Sequence, residues 1–486
     1  MRILLICLCM VMGSHAAMAK SSIYRMMIGG RILELAGTRQ LTDSADGEVE
    51  NACLSPDGRY IVYRRKHDGD TQACILKTSL GRPTVFMSLP PNFHDKGFAG
   101  EAWTPYGAWS WSSDSRQFAM FAAFRVGSKA GSWHNCIALF NTSGVRQDCF
   151  QLRNQLMPKG ELLWSPDGRK LAGAFRPNGT IPGTDLLVFD TISHTTDSLI
   201  SQSPANVELL SWSADGRSLQ FIVEVGGKIQ LRELSLSTKE DKIIEEDFRL
   251  PRMLSPDGLL ELDWGLGIII KNRLTGEVTQ LIKSKPDEIL SWSPNSKMIA
   301  YQKKVVIKDE SEKREQVFNT LWLAAAESNP FNHMCVALDA KDHPPTFSSD
   351  CLKMAYVSDG KLYLAEFVWK PITPYDKLDA GLPLTEKEEQ EVLVDRAKAI
   401  GKGMDMYYSD WDGAYPSGAG FAEELTPYTR DKTVFFRPGT DKVAFQYFPP
   451  SNPIGFPATT VVGMFDVGYG WKVVLYADGH VQVVPK

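Results

Sequence analysis

Apolar and polar residues alternate along most of this chain in short runs, each introduced by the same kind of turn. Tyr60-Ile61-Val62-Tyr63, Phe118-Ala119-Met120-Phe121, Leu171-Ala172-Gly173-Ala174-Phe175, Leu219-Gln220-Phe221-Ile222, Met298-Ile299-Ala300-Tyr301 and Met354-Ala355-Tyr356-Val357 all read as strands. Before each run stands an apolar residue and then Ser-Pro-Asp-Gly-Arg or a variant of it. The cleanest copies are Leu54-Ser55-Pro56-Asp57-Gly58-Arg59 and Trp164-Ser165-Pro166-Asp167-Gly168-Arg169. Related copies start at Trp111, Trp212 (with Asp215 and Gly216), Leu254 (with Asp257 and Gly258), Trp292 and Phe347. Ser, Pro, Asp and Gly in that order fit a type I turn whose last residue is left-handed, a conformation free of steric cost only for Gly. Ser115, Ser296 and Cys351 stand where the other copies have Gly.

The third residues of the turns fall at 57, 114, 167, 215, 257, 295 and 350, a mean step of about 49 residues. A four-stranded propeller blade takes roughly 40–45, so most units carry insertions, and the one between 257 and 295 is trimmed. Short strands at 23–28 and 31–35 precede the first unit, and the last unit lacks a fourth strand. The N-terminal strands are therefore expected to complete the last blade and remove exposed sheet edges.

The repeat resembles the WD40-like propeller repeat of the TolB family, in which a Trp-Ser-Pro-Asp-Gly turn is followed by Arg or Lys and an aromatic strand. The resemblance spans residues 22–370. It implies an all-β propeller of seven blades, with six or eight as the alternatives. The turn residues Asp57, Gly58, Asp167, Gly168, Asp215, Gly216, Asp257 and Gly258 are read as structural.

Composition changes after Phe367. Pro371, Pro374 and Pro383 mark 371–384 as a linker. Thr385-Glu386-Lys387-Glu388 is a capping box, and Leu393, Ala397, Ile400, Met404 and Tyr408 follow at helical spacing. The chain closes on a hairpin that turns at Asp478-Gly479. The run from Ala399 to Pro416, then Pro427-Tyr428, then Leu475-Tyr476-Ala477-Asp478-Gly479-His480-Val481 resembles the globular part of type II secretion pseudopilins. That resemblance implies a small α+β domain over 385–486. Two features depart from it: Glu386 to Glu391 is acidic where a pilin helix is apolar, and Gly468 stands where some relatives carry His.

Residues 1–19 read as a signal peptide, with Arg2, an apolar core and Ala17-Met18-Ala19 as the cleavage site. Export to periplasm, cell envelope or extracellular space is the expectation, with no membrane span after cleavage. Its removal takes one positive charge from a net −5, and no basic patch suggests nucleic acid. Cys53, Cys74, Cys136, Cys149, Cys335 and Cys351 remain, an even number suited to disulfides. Cys136 and Cys149 flank a turn at Asn141-Thr142-Ser143-Gly144, where a hairpin would set them opposite each other as a bridge.

Chemistry is sparse. There is no Gly-x-Ser-x-Gly elbow, His-Glu-x-x-His or glycine-rich phosphate loop, and no cofactor is expected. Asp410 and Asp412 are weak calcium candidates. The stretch 88–110 reads as a long aromatic loop whose His94, Trp103, Tyr106 and Trp109 could line a groove for glycan or peptide. Residues 303–316 read as a charged hairpin insertion, solvated as a loop. The functional expectation is an exported, non-enzymatic binding or scaffold protein whose propeller meets a partner protein or a cell-envelope polymer. The alternatives are a propeller enzyme acting on polysaccharide or peptide, and a structural accessory of a type II secretion or pilus-like assembly.

Overall fold

The computed structural model describes residues 24–79, 82–89, 101–126, 133–153, 156–177, 183–248, 253–309, 314–329, 332–338, 344–450 and 458–486. Two compact units emerge, the first ending at Lys370 and the second running Pro371–Lys486.

Seven antiparallel sheets follow one another through the first unit. The first comprises Glu48–Leu54, Tyr60–His67, Asp70–Lys77 and Thr84–Leu89, hydrogen-bonded in that order. Its second strand shows the repeating design, as does Gln117–Val126 in the second sheet. Phe118, Ala119, Met120 and Phe121 are all fully buried. Successive side chains on a strand point to opposite faces. Phe118 and Met120 accordingly pack with Val62 and Ile75 of the first sheet, while Ala119 and Phe121 pack with Leu171, Phe175 and Phe189 of the third. A strand buried on both faces reads as continuous apolar sequence, which is the run seen in the repeat.

Shared cores continue around the unit. Ala172 and Leu186 of the third sheet meet Leu219 and Phe221 of the fourth. Ile222 and Leu231 of the fourth meet Phe248 and Leu254, Leu262 and Ile270 of the fifth meet Ile299 and Trp322 of the sixth, and Leu290 and Leu323 of the sixth meet Met354 and Tyr356 of the seventh. Leu362 and Leu364 of the seventh then meet Val49, Ile61 and Tyr63 of the first. The sheets form a closed ring, the arrangement of a β-propeller.

Closure occurs where the N-terminal strands were expected. Arg31–Gln40 pairs with Lys361–Pro371, and Arg25–Ile28 pairs with Arg31–Gln40, giving the seventh sheet five strands. Leu41 N donates to Leu362 O at 2.8 Å, and Lys370 Nζ meets Glu34 at 2.7 Å.

The recurring turn is a hydrogen-bonded lock. In all seven copies the Ser hydroxyl donates to the third residue, from Ser55 to Asp57 at 2.6 Å through Ser293 to Asn295 at 2.7 Å to Ser348 to Asp350 at 2.6 Å. The same Asp or Asn oxygen accepts the fifth residue's N–H at 2.9–3.1 Å. The Ser oxygen in turn accepts the sixth residue's N–H. Gly58, Gly168 and Gly216 have φ 68° and Gly258 φ 71°. Ser115 and Ser296 keep φ 59° and Cys351 φ 58°, so the departures from Gly do not change the turn. Their side chains offset the strain by reaching the neighbouring turn: Asp57 N donates to Ser115 Oγ at 2.9 Å, and Asp257 N to Ser296 Oγ at 3.1 Å. The Cys351 sulfur occupies the same place against the Asn295 N–H.

One consequence is testable at Asp167. Its Oδ1 accepts from Ser165 Oγ and Arg169 N. Asp167→Ala removes both bonds and should lower stability by about 1–2 kcal/mol, read as the thermal midpoint. Asp167→Asn keeps the acceptor, as Asn295 does, and should be close to neutral at pH 7. The Ser165 hydroxyl holds the Asp167 carboxyl below its ordinary value. That contribution is present above the ordinary carboxylate range and is lost as pH falls through the depressed value. The Asn variant should therefore lose less stability on acidification than the wild type, and an equal loss would contradict the lock.

Several expectations are corrected. Within 88–110, residues from Glu101 belong to the strand Glu101–Trp111, not to a loop. Residues 303–309 and 314–316 do form the expected hairpin, Val306 opposite Val317 and Asp309 opposite Arg314, with both valines exposed, but its arms are paired strands. The linker 371–384 contains a helix, α1 (Pro374–Asp379), capped by Thr373. Among the described residues no disulfide is formed, although the Cys136 and Cys149 thiols interact with each other. A bulge between Arg146 and Asp148 shifts the hairpin so that Cys136 faces Gln151 and Cys149 faces Ala138, which places the two sulfur-bearing residues diagonally and not opposite. Residues 1–19 and His94 lie outside the described residues. Among those described, no helix is long and apolar enough to cross a membrane.

The second unit packs helices on a sheet. α2 (Glu386–Asp410) begins at the expected Thr385–Glu388 capping box. Leu393, Ala397, Ile400 and Met404 lie on its buried face against Phe465, Val473 and Leu475. The sheet runs in chain order through Phe445–Tyr447, Val461–Phe465, Trp471–Tyr476 and Val481–Pro485. α3 (Phe421–Thr429) places Leu425 in the same core. Gly463 admits the Phe445 ring, since a Cβ there would lie 2.1 Å from Phe445 Cζ.

Candidate functional site

Trp103 and Tyr106 lie on Glu101–Trp111. Trp103 is opposite Phe124, and Tyr106 falls in the register break between Pro105 and Trp109. Trp109 is not a free contact residue. Its indole N–H donates to Asn51 Oδ1 at 3.3 Å, and its ring packs in the core between the first two sheets. The same use of tryptophan recurs. Trp111 donates to Cys53 O, Trp164 to Ser110 O and Trp212 to Leu163 O, at 3.2, 2.9 and 2.8 Å. Each acceptor lies two residues before the preceding sheet's turn Ser. These indoles fix the spacing of neighbouring sheets with one directed bond apiece.

Asp410 and Asp412 are exposed at the end of α2. Among the described residues, no three His, Cys, Asp or Glu side chains are grouped to hold a metal. Trp411 between them stacks on Tyr407, with centroids 5.7 Å apart, and donates to Tyr428 Oη at 3.1 Å. Aromatic packing orders this turn.

The second unit also holds a cleft of about 310 Å³ that no sequence motif announced. One wall is the segment after α1, with Leu378, Leu382, Pro383 and Leu384, and the other is the turn at Arg437, Pro438 and Gly439. Glu389, in the first turns of α2, lies at its base and is only 6% exposed. A buried carboxylate needs partners, and Glu389 has three bonds. Arg437 Nε donates to Oε1 at 2.9 Å and Nη2 to Oε2 at 3.3 Å, while Tyr469 Oη donates to Oε2 at 2.7 Å. Glu389 pushes the Arg437 guanidinium up from its ordinary value, and it raises Tyr469 as well. Tyr469 stacks on Trp471 at 5.2 Å, and Trp471 Nε1 reaches Glu386 at 2.7 Å. Beside this group, Lys377 donates to Glu388 and, with the Thr385 N–H, holds that carboxyl at about 2. Leucine and proline side chains thus stand beside converging polar groups, a combination that small-molecule sites use. Glu389, Arg437 and Tyr469 are up to 80 residues apart in sequence, so only the fold brings them together.

No family model matches this chain, and no curated protein matches its sequence. Similar solved structures include an oligogalacturonate lyase from Vibrio parahaemolyticus, 12% identical, with 69% of this chain and 97% of that one covered at a TM-score of 0.45. TolB from Acinetobacter baumannii is 16% identical over 68% of each chain, with a TM-score of 0.33. A puromycin-hydrolysing peptidase from Mycobacterium tuberculosis is 12% identical over 70% of this chain and 59% of its own, with a TM-score of 0.41. At these values the likenesses assign no activity, and function must be argued from the chain's own residues.

Proposed function

We propose that this chain is an exported, non-enzymatic binding or scaffold protein. A seven-bladed, TolB-like propeller offers a rigid surface to a partner protein or a cell-envelope polymer, and a pseudopilin-like module follows it. The observation that carries this reading is the locked ring. Seven turns bonded internally, several of them to their neighbours, and tryptophans bonded from sheet to sheet make a preorganised platform. A platform that is already ordered loses little entropy when a partner binds. The 25-residue helix on a four-stranded sheet supports the pseudopilin-like reading of the second unit. Trp103 and Tyr106 are the proposed contact residues, whereas Trp109 is committed to its seam.

The test uses the mature chain on a glycan array and in a pull-down from envelope extract. The expected result is retention that falls about tenfold or more when Trp103 and Tyr106 are both replaced by Ala, as for interface hot spots. Retention unchanged by the double variant removes that surface, and no retention in either assay removes the binding role.

A further inference from the structure

We infer that the cleft beside Glu389 and Arg437 binds a carboxylate carried on a compact apolar body. This inference concerns the second unit alone and does not depend on what the propeller binds. The side chains of Leu378, Leu382, Pro383, Leu384 and Pro438 supply the apolar part of the walls, beside polar surface from the backbone, Glu389 and Arg437. The carboxylate and two of the loop amides around them are already engaged. Glu389 is bonded by Arg437 and Tyr469, the Gly381 N–H donates to Leu378 O, the Leu382 N–H donates to Lys377 O, and Lys377 Nζ is held by Glu388. Arg437 differs. Guanidinium is a planar fork of five donors, and pairing through Nε and Nη2 leaves its outer edge for another acceptor. Its side chain is 42% exposed, against 7% for Glu389. Among the lining side chains the open hydrogen-bonding capacity is thus cationic and donor-only. A ligand amine would find no free carboxylate, whereas a ligand carboxylate gains a charge-assisted bond.

The probe is N-acetyl-L-leucine, titrated calorimetrically into the full mature chain. N-acetyl-L-leucinamide keeps the apolar body and removes the charge, and acetate keeps the charge and removes the body. The acid should bind, and both controls should bind at least about tenfold more weakly, the factor expected of one bond to a charged group. Because Arg437 also neutralises Glu389, its removal can unfold the unit, so the blocking variant is Leu382→Glu. It leaves the Glu389–Arg437 pair intact and either repels the ligand carboxylate or occupies Arg437 itself. It should weaken the acid about tenfold while leaving the thermal midpoint near that of the wild type. Amide binding equal to acid binding, a Leu382→Glu variant that binds like the wild type, or no heat from the acid up to about 10 mM would each overturn the assignment.

Discussion

A chain that begins at Leu41 should fail to fold its first unit cooperatively. The missing residues bring Met26 and Leu33, both fully buried, and Ile28, 4% exposed, into the core shared by the sixth and seventh sheets. Met27 and Ile32 are also buried. At roughly 1.5–3 kcal/mol for each buried apolar side chain, these five together rival the 5–15 kcal/mol that holds a typical domain folded. The strand Lys361–Pro371 would also lose its neighbour Arg31–Gln40 and present an open edge, which favours association. The expected result is a loss of the cooperative denaturant transition, early proteolysis and concentration-dependent aggregation. A milder form is Leu33→Asp, which buries an unpaired carboxylate and should cost about 3 kcal/mol or more. A truncated chain with the wild-type midpoint would mean that the ring does not rely on this closure.

The contrast between the two units explains what can be read before folding. In the first unit the information is local. Ser55, Asp57 and Gly58 bond within six residues of each other, so the turn is visible as a motif, and its recurrence predicts the blades. Ring closure was also legible, because a last unit short of one strand and two unassigned strands at the other end have a single mutual solution. Long-range register was not. Cys136 and Cys149 seemed to face each other across Asn141–Gly144, but the register sets them two residues apart along the ladder, with their thiols still interacting across the diagonal. Trp109 looked like a loop aromatic because its acceptor, Asn51, is 58 residues away. The cleft is the extreme case. Arg437 and Tyr469 occupy unremarkable stretches of sequence, and Glu389 reads as one more charge at the start of an acidic helix. The signal available was faint: a glutamate one residue past the capping box, on the face that Leu393 and Ala397 bury.

Arg437→Met should destabilise the second unit far more than Tyr469→Phe. Breaking a buried pair by removing one partner leaves an uncompensated charge, at about 3–5 kcal/mol when both groups are buried. Here Arg437 is partly solvated and Glu389 is not, so water recovers some of the loss, and about 2–4 kcal/mol is expected. Tyr469→Phe removes one of three bonds to the carboxylate and should cost about 1–2 kcal/mol. The decisive variant is the double one, Arg437→Met with Glu389→Gln. Removing the buried charge together with its partner should recover most of the loss, because the penalty lies in the orphaned carboxylate and not in the absent cation. Denaturant midpoints followed by tryptophan fluorescence would report this through Trp471, which stacks on Tyr469. A double variant as unstable as Arg437→Met would show that Arg437 supports the turn at Pro438 and Gly439 by packing, and the charge account of the pair would fall.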